Sequence, residues 1–293
     1  MARFISSLAT AVDLLALVTC LGTLSCRLWV LPSSETGEDT TVLSPLRAAL
    51  WRLLGGCLIA LTVSSAAELL GRTLTMSGLP LAMLGRTLPL VVLRTHYGRV
   101  WFVRVGALAM LWIGWAMGRR YTHVQTIPVS MLVAGSLLAL TRSLSGHAAD
   151  WGDVTLTVMM DGLHLLAGGL WGGGLLALAS AVLPPVRRGA DQQHVLLAGL
   201  ARRFATLASM GLAIVLLTGV ANAWVQVGTV RALWATSYGR ILLAKLLLVG
   251  LVLILGAVNH YIYVPLLQQW AGRPRAGGWH RHASRLWQAL PSA

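Results

Sequence analysis

The sequence predicts an all-α integral membrane protein: a helical bundle of about seven transmembrane helices built from two parallel four-helix-type repeats, the last helix of the second repeat missing or replaced by a short interfacial helix. Composition is the first ground, because 56% of the 293 residues are hydrophobic, 11% are charged and mean hydropathy is +0.73, far from a soluble average. The second is a series of seven apolar runs, each near the ~20 residues that a helix needs to cross the hydrocarbon. The third is an internal echo: THYGRVWFVR at 95–104 recurs as TSYGRILLAK at 236–245.

The first run, 8–31, follows Arg3 as a signal peptide would, but Asp13 interrupts it and the apolar stretch continues to Leu31, so a retained span is expected. The second, 46–71, holds Glu68, read as a partner for an arginine near the same end. Residues 72–104 contain five arginines and no acid, and part of this segment suits an interfacial helix before the third span, 98–118. Spans at 124–142, 154–183, 204–227 and 239–264 follow. Beyond them, WHRHASRLWQAL in the basic tail suits an amphipathic interfacial helix. The repeats divide the chain at 1–142, with four spans, and 143–293, with three spans and the tail. Asp13 and Asp161 open corresponding spans, and Arg104 recurs as Lys245; these two cations either snorkel outward or pair with Asp13 and Asp161. Cys20, Cys26 and Cys57 fall within the first two spans and read as buried free thiols, with a soft-metal role as the minor alternative.

A net charge of +14 does not point to nucleic acid, since the basic residues are scattered among short loops. It points to orientation in a lipid bilayer. The arginines of 184–203, Arg119, Arg120 and the tail place those segments in the cytoplasm, with the N-terminus and 143–153 outside.

MMDGLHLLAGGLWGGG, 159–174, lies inside the fifth span and holds four chemically distinctive groups. On a helix Met160, Asp161 and His164 project from nearly one face, with Met159 on the next. Gly168 and Gly172 continue that face, with Trp171 beside it, and would let a neighbouring helix approach closely. The preceding SGHAADWGD adds Asp150 and Asp153 at a rim and His147 at a mouth, an inward path that ends at His164. Imidazole and thioether together suit copper, above all Cu(I), better than hard cations. The bland alternative is a structural Asp161–His164 hydrogen bond with methionines as packing. Asn222 reads as an interhelical hydrogen-bond donor or a pore-lining group. No phosphate loop, nucleophile elbow, CxxCH or HExxH occurs, so the expectation is a protein that is not an enzyme.

GHAAD…DGLHLLAGGLWGGGLLAL, RRFATLASMGLAIVLLTGVANAW and TSYGRILLAKLLLVGLVLILGAVN together resemble the copper resistance protein D (CopD/PcoD) family of bacterial inner-membrane proteins, most closely over about 140–263. The resemblance implies a multi-pass bacterial inner-membrane protein of about eight spans, its N-terminus periplasmic and C-terminus cytoplasmic, handling copper as Cu(I) or Cu(II). It implies uptake from the periplasm with a periplasmic copper-binding partner of the CopC type. Its motifs fall on His147, His164, Thr218, Gly219, Asn222, Trp224, Tyr238, Gly239, Arg240 and Lys245. A partner or a second copy forming a homo-oligomer is the expectation for completing the surface of the second repeat. A b-type haem or quinone-linked carrier is the rival reading, and it needs two histidines at one depth on facing helices where the spans offer only His164. A non-transporting scaffold or sensor subunit is the third.

Overall fold

The computed structural model describes residues 2–32, 37–79, 81–121, 124–146, 152–183, 193–258 and 261. Among them secondary structure is helical throughout, and seven helices are long and apolar enough to cross a membrane. This is the expected all-α membrane architecture, and its physical reason is simple: hydrocarbon offers no partner to a backbone N–H or C=O, so each spanning segment must satisfy its own.

Helix α1 is Ala2–Ser25, extended by a wider π turn at Cys26–Val30. Helix α2 is Gly37–Ser77, α3 the short Leu84–Arg94, α4 His96–Arg120 and α5 Thr126–Leu144. Helix α6 runs Leu156–Val182 with π turns at Gly169–Gly173 and Leu178–Val182. Helix α7 is Gln193–Val227, α8 the single turn Ala232–Ala235 and α9 Ser237–Val258.

Burial in α1 follows helical spacing: Ala9, Asp13, Ala16, Leu17, Cys20, Leu21 and Leu24 face inward. Around them α2, α4 and α5 close a core of Leu54, Leu58, Leu61, Leu111, Met131 and Leu138. A second core joins the Cys26–Val30 turn and the start of α2 to the far ends of α6 and α7, through Leu46, Leu50, Ala177, Val182, Leu200 and Phe204. All three cysteines are buried and unpaired. The halves meet where α1 crosses α6: a Cβ on Gly22 would collide with the Gly173 carbonyl carbon, and one on Gly173 with the Val18 carbonyl oxygen. Only two glycines allow backbones this close.

Both copies of the repeated stretch are built alike. Thr95 caps α4 by accepting a hydrogen bond from the Gly98 amide at 3.1 Å, and Thr236 accepts one from the Gly239 amide at 2.9 Å. Gly98 and Gly239 then press against carbonyls of the preceding short helix, Val92 and Ala232, at contacts a Cβ would not survive. The shared Thr and Gly thus turn the chain from a short helix into a span. Tyr238 donates a hydrogen bond to Gln226 near the end of α7. Through α7 and α6, this puts the starts of α4 and α9 at one end of the bundle.

Candidate functional site

Two polar assemblies lie among the spans, one in each half. In the first half Asp13 is fully buried and Arg104 nearly so. Arg104 Nη2 donates to Asp13 Oδ1 at 2.5 Å, its Nε to Ser65 Oγ at 2.9 Å and its Nη1 to Thr141 Oγ1 at 3.4 Å. Ser64 Oγ donates to the same carboxylate oxygen at 2.9 Å. One turn nearer the end, Arg142 Nη1 grips both Glu68 oxygens at 2.6 and 2.7 Å, and Thr10 donates to Oε1 at 2.8 Å. Two buried charges of opposite sign, each hydrogen-bonded, are the arrangement that membrane depth permits. Arg72, Tyr97 and Trp101 line the cleft above this layer. Helices α1, α2, α4 and α5 are therefore pinned together by ion pairs as well as by packing.

The second half is built around His164. Its Nδ1 lies 2.9 Å from Thr218 Oγ1 on α7, across the α6–α7 interface. Thr218 donates its single hydroxyl hydrogen to the Ile214 carbonyl at 2.6 Å, with Val215 O at 3.3 Å as the weaker alternative. With that hydrogen committed to the Ile214 carbonyl, the Thr218 oxygen is placed to accept from a His164 Nδ1–H, the tautomer that leaves Nε2 as the lone-pair nitrogen. Gly219 gives the ring room, since a Cβ there would stand 3.3 Å from His164 Cε1. A ligating imidazole is commonly held by a second group on its other nitrogen, and Thr218 holds that position. The sequence offers Asp161 as the hydrogen-bond partner of His164 in its structural alternative; the structure bonds the ring to Thr218, which entered only through the family motif. Spacing within one helix could not find it, because the partner lies 54 residues away.

The remaining candidates are placed as follows. Met160 and Asp161 are half-buried on α6 near His164, whereas Met159 is 64% exposed and turned outward. Asp153 takes an ion pair of 2.8 Å with His96 at the start of α4, tying the two halves together at the rim; sequence reasoning had not singled out His96. Trp171 and Asn222 are half-buried, and Lys245 is exposed on α9. His147 and Asp150 lie outside the described residues. Among those described, no three His, Cys, Asp or Glu side chains gather as a metal cluster.

Gly168 and Gly172 stand open in the structure, since a Cβ on either would meet nothing within 4 Å among the described residues. Gly169, Gly173 and Gly174 carry the close helix approach, against Leu21, Val18 and Phe204. Helix α1 packs on the side of α6 marked by Gly169 and Gly173, so the His164–Gly168–Gly172 side looks elsewhere.

These features define a multi-pass α-helical membrane protein with a charged layer in one half and an oriented imidazole in the other. The chain belongs to the copper resistance protein D family: the family's N-terminal domain, described as copper resistance protein D-like, matches residues 1–156, and the copper resistance protein D domain itself matches 198–289. It is 30% identical over 186 residues to copper resistance protein D of Pseudomonas syringae pv. tomato, covering 61% of this chain and 58% of that one. It is 32% identical over 122 residues to copper transport protein CutJ of Bacillus subtilis, covering 42% of this chain and 22% of that one. The chain thus spans less than two thirds of the length of either relative. No solved structure matches it.

Proposed function

We propose that this protein carries copper across the bacterial inner membrane, in the direction of uptake from the periplasm, and that His164 is the intramembrane station. Family membership supports copper as the substrate, and a relative whose name describes copper transport supports movement rather than storage. The single observation that carries the site is the His164–Thr218 hydrogen bond, which with Nδ1 as donor leaves Nε2 available to a soft cation. Met160, four residues earlier on the same helix, supplies a thioether of suitable softness. Asp153, and Asp150 with His147, form the approach in this reading. The arginine distribution supports a periplasmic N-terminus and rim and a cytoplasmic C-terminus. A periplasmic copper-binding protein of the CopC type is the proposed donor, and no catalytic step is assigned.

The test is copper bound per purified protein, loaded separately as Cu(I) and as Cu(II), for the native chain and His164→Ala. Loss of one equivalent in a well-folded His164→Ala protein is the expected outcome. Unchanged stoichiometry and affinity would remove His164 from the path, and an unaltered copper flux in vesicles would remove transport through this half.

A further inference from the structure

The repeat aligns Thr95 with Thr236, Gly98 with Gly239 and Arg104 with Lys245, and the first two pairs have the same geometry in both halves. The third pair does not. Arg104 reaches inward to Asp13, whereas Lys245 is exposed and makes no ion pair among the described residues. Helix α9 touches the rest of the bundle chiefly through α8, and none of its apolar window is buried, although it is the most hydrophobic of the seven spans.

An ammonium in that position is costly. Lys245 lies eight residues inside the helix, about 12 Å along its axis, where a lysine either snorkels or pairs with an acid. The sequence narrows the choice of acid. Between residue 154 and the C-terminus there are two acids: Asp191, in the connection between α6 and α7, and Asp161, within α6. Asp161 is half-buried, is the counterpart of Asp13, and interacts electrostatically with His164 one turn on but with no lysine or arginine among the described residues.

The surrounding surface agrees with the charges. Aligning Asp161 with Asp13 sets Gly168 and Gly172 against Cys20 and Leu24. Those two side chains are fully buried in the core that α4 enters with Ala107, Leu108 and Leu111. In the second half the same face of α6 carries bare glycines with nothing within 4 Å, as a surface awaiting a helix would.

We infer that α9 docks on the Gly168–Gly172 face of α6 within the same chain, and that Lys245 there pairs with Asp161 as Arg104 pairs with Asp13. Docking neutralises both charges and covers the open side of α6. It does not draw on the copper reading, so either can fail alone.

The experiment is cross-linking in native membranes without added copper. In a full chain with Cys20, Cys26 and Cys57 replaced by alanine, Asp161→Cys and Lys245→Cys are joined with a short bis-methanethiosulfonate reagent, and the α6–α7 connection is cut at an inserted protease site. The expected result is that most of the protein stays joined across the cut, as an Asp13→Cys, Arg104→Cys pair does across a site cut between α2 and α3. Asp161→Cys with Leu247→Cys should fall apart, since Leu247 is 76% exposed on the opposite side of α9. No joining at 245 while the control pair joins, equal joining at 245 and 247, or links only between two copies would each overturn the inference. If the cysteine chain does not accumulate, the charge exchange decides. Asp161→Lys and Lys245→Asp should each lower the membrane level several-fold and the double variant should restore it; a double variant no better than either single one overturns the pairing.

Discussion

The two halves of this protein start from one plan and end in different chemistry. In the first, the acid of the opening span is sealed: Asp13 is fully buried and held by Arg104 and Ser64, while Glu68 is held by Arg142. In the second, the acid at the same place is half-buried, the cation stands apart on α9, and an imidazole fills the interface where the first half has Ala16. The difference teaches that a repeat can conserve the backbone device that launches a helix while sealing its charges to different depths. Saturated ion pairs hold a fixed scaffold, and the second half sets an oriented imidazole where the first has packing alone.

The largest effect should come from breaking the sealed pair. Arg104→Met leaves Asp13 buried without its counter-ion and is expected to cost about 3–5 kcal/mol of stability. Asp13→Asn combined with Arg104→Met should recover most of that. Lys245→Met removes the counter-ion inferred for Asp161, which is half-buried where Asp13 is fully buried, and should cost less than half as much. Unfolding of the purified protein in detergent micelles measures all three; equal losses for Arg104→Met and Lys245→Met would erase the contrast between the halves.

Next come the glycines of α6. Gly173→Ala drives a Cβ into the Val18 carbonyl and should destabilise the junction of the halves by about 1–3 kcal/mol or more. Gly172→Ala meets no described atom within 4 Å, and only the inferred α9 contact stands against it, so its cost should be well below that of Gly173→Ala. Unfolding midpoints of the two variants separate the cases, and the reverse order would make the Gly172 side of α6 the tighter junction.

Most of the architecture was legible because membrane burial writes long signals. The seven apolar runs place the spans within a few residues of Ser6–Val30, Leu43–Ser77, His96–Arg120, Thr126–Leu144, Leu156–Val182, Gly199–Val227 and Ser237–Val258. Glu68 could be assigned an arginine partner because an intramembrane acid demands one, although which arginine was hidden: Arg142 lies 74 residues away. The side of α6 that packs on α1 was hidden, since it depends on where α1 crosses. The Thr218 contact was likewise invisible to spacing, because hydroxyls are common in membrane helices and only the fold shows which one meets an imidazole.

Thr218→Val keeps the shape of the side chain while removing the acceptor on His164 Nδ1. The ring then loses its assigned tautomer and orientation, and copper affinity should fall about 10- to 100-fold with little change in the fold. Thr218→Ser retains the hydroxyl and should stay close to native. Titration of purified protein against a Cu(I) chelator of known affinity gives the ratio, and equal affinities for the Val and Ser variants would show that the hydrogen bond does not tune the site.

The smallest effect concerns the device the halves share. Thr95 and Thr236 each satisfy an otherwise unpartnered amide at the start of a span, and losing such a cap costs about 0.5–2 kcal/mol. Thr95→Ala acts on α4, which is packed against α5 and anchored by Arg104, so the loss is transmitted to the whole first half and should appear at about 1 kcal/mol in global unfolding. Thr236→Ala acts on α9, which the inferred docking ties to α6 through one charge pair and a glycine face, so the same lost hydrogen bond should loosen the start of that helix and lower the global midpoint by less than Thr95→Ala does. Hydrogen exchange resolved along the chain distinguishes the two. Faster exchange at 237–241 in Thr236→Ala, with a smaller fall in the unfolding midpoint, is the expected pattern. A midpoint that falls equally in both variants would mean that α9 is as firmly held as α4, and that the halves differ in their charges alone.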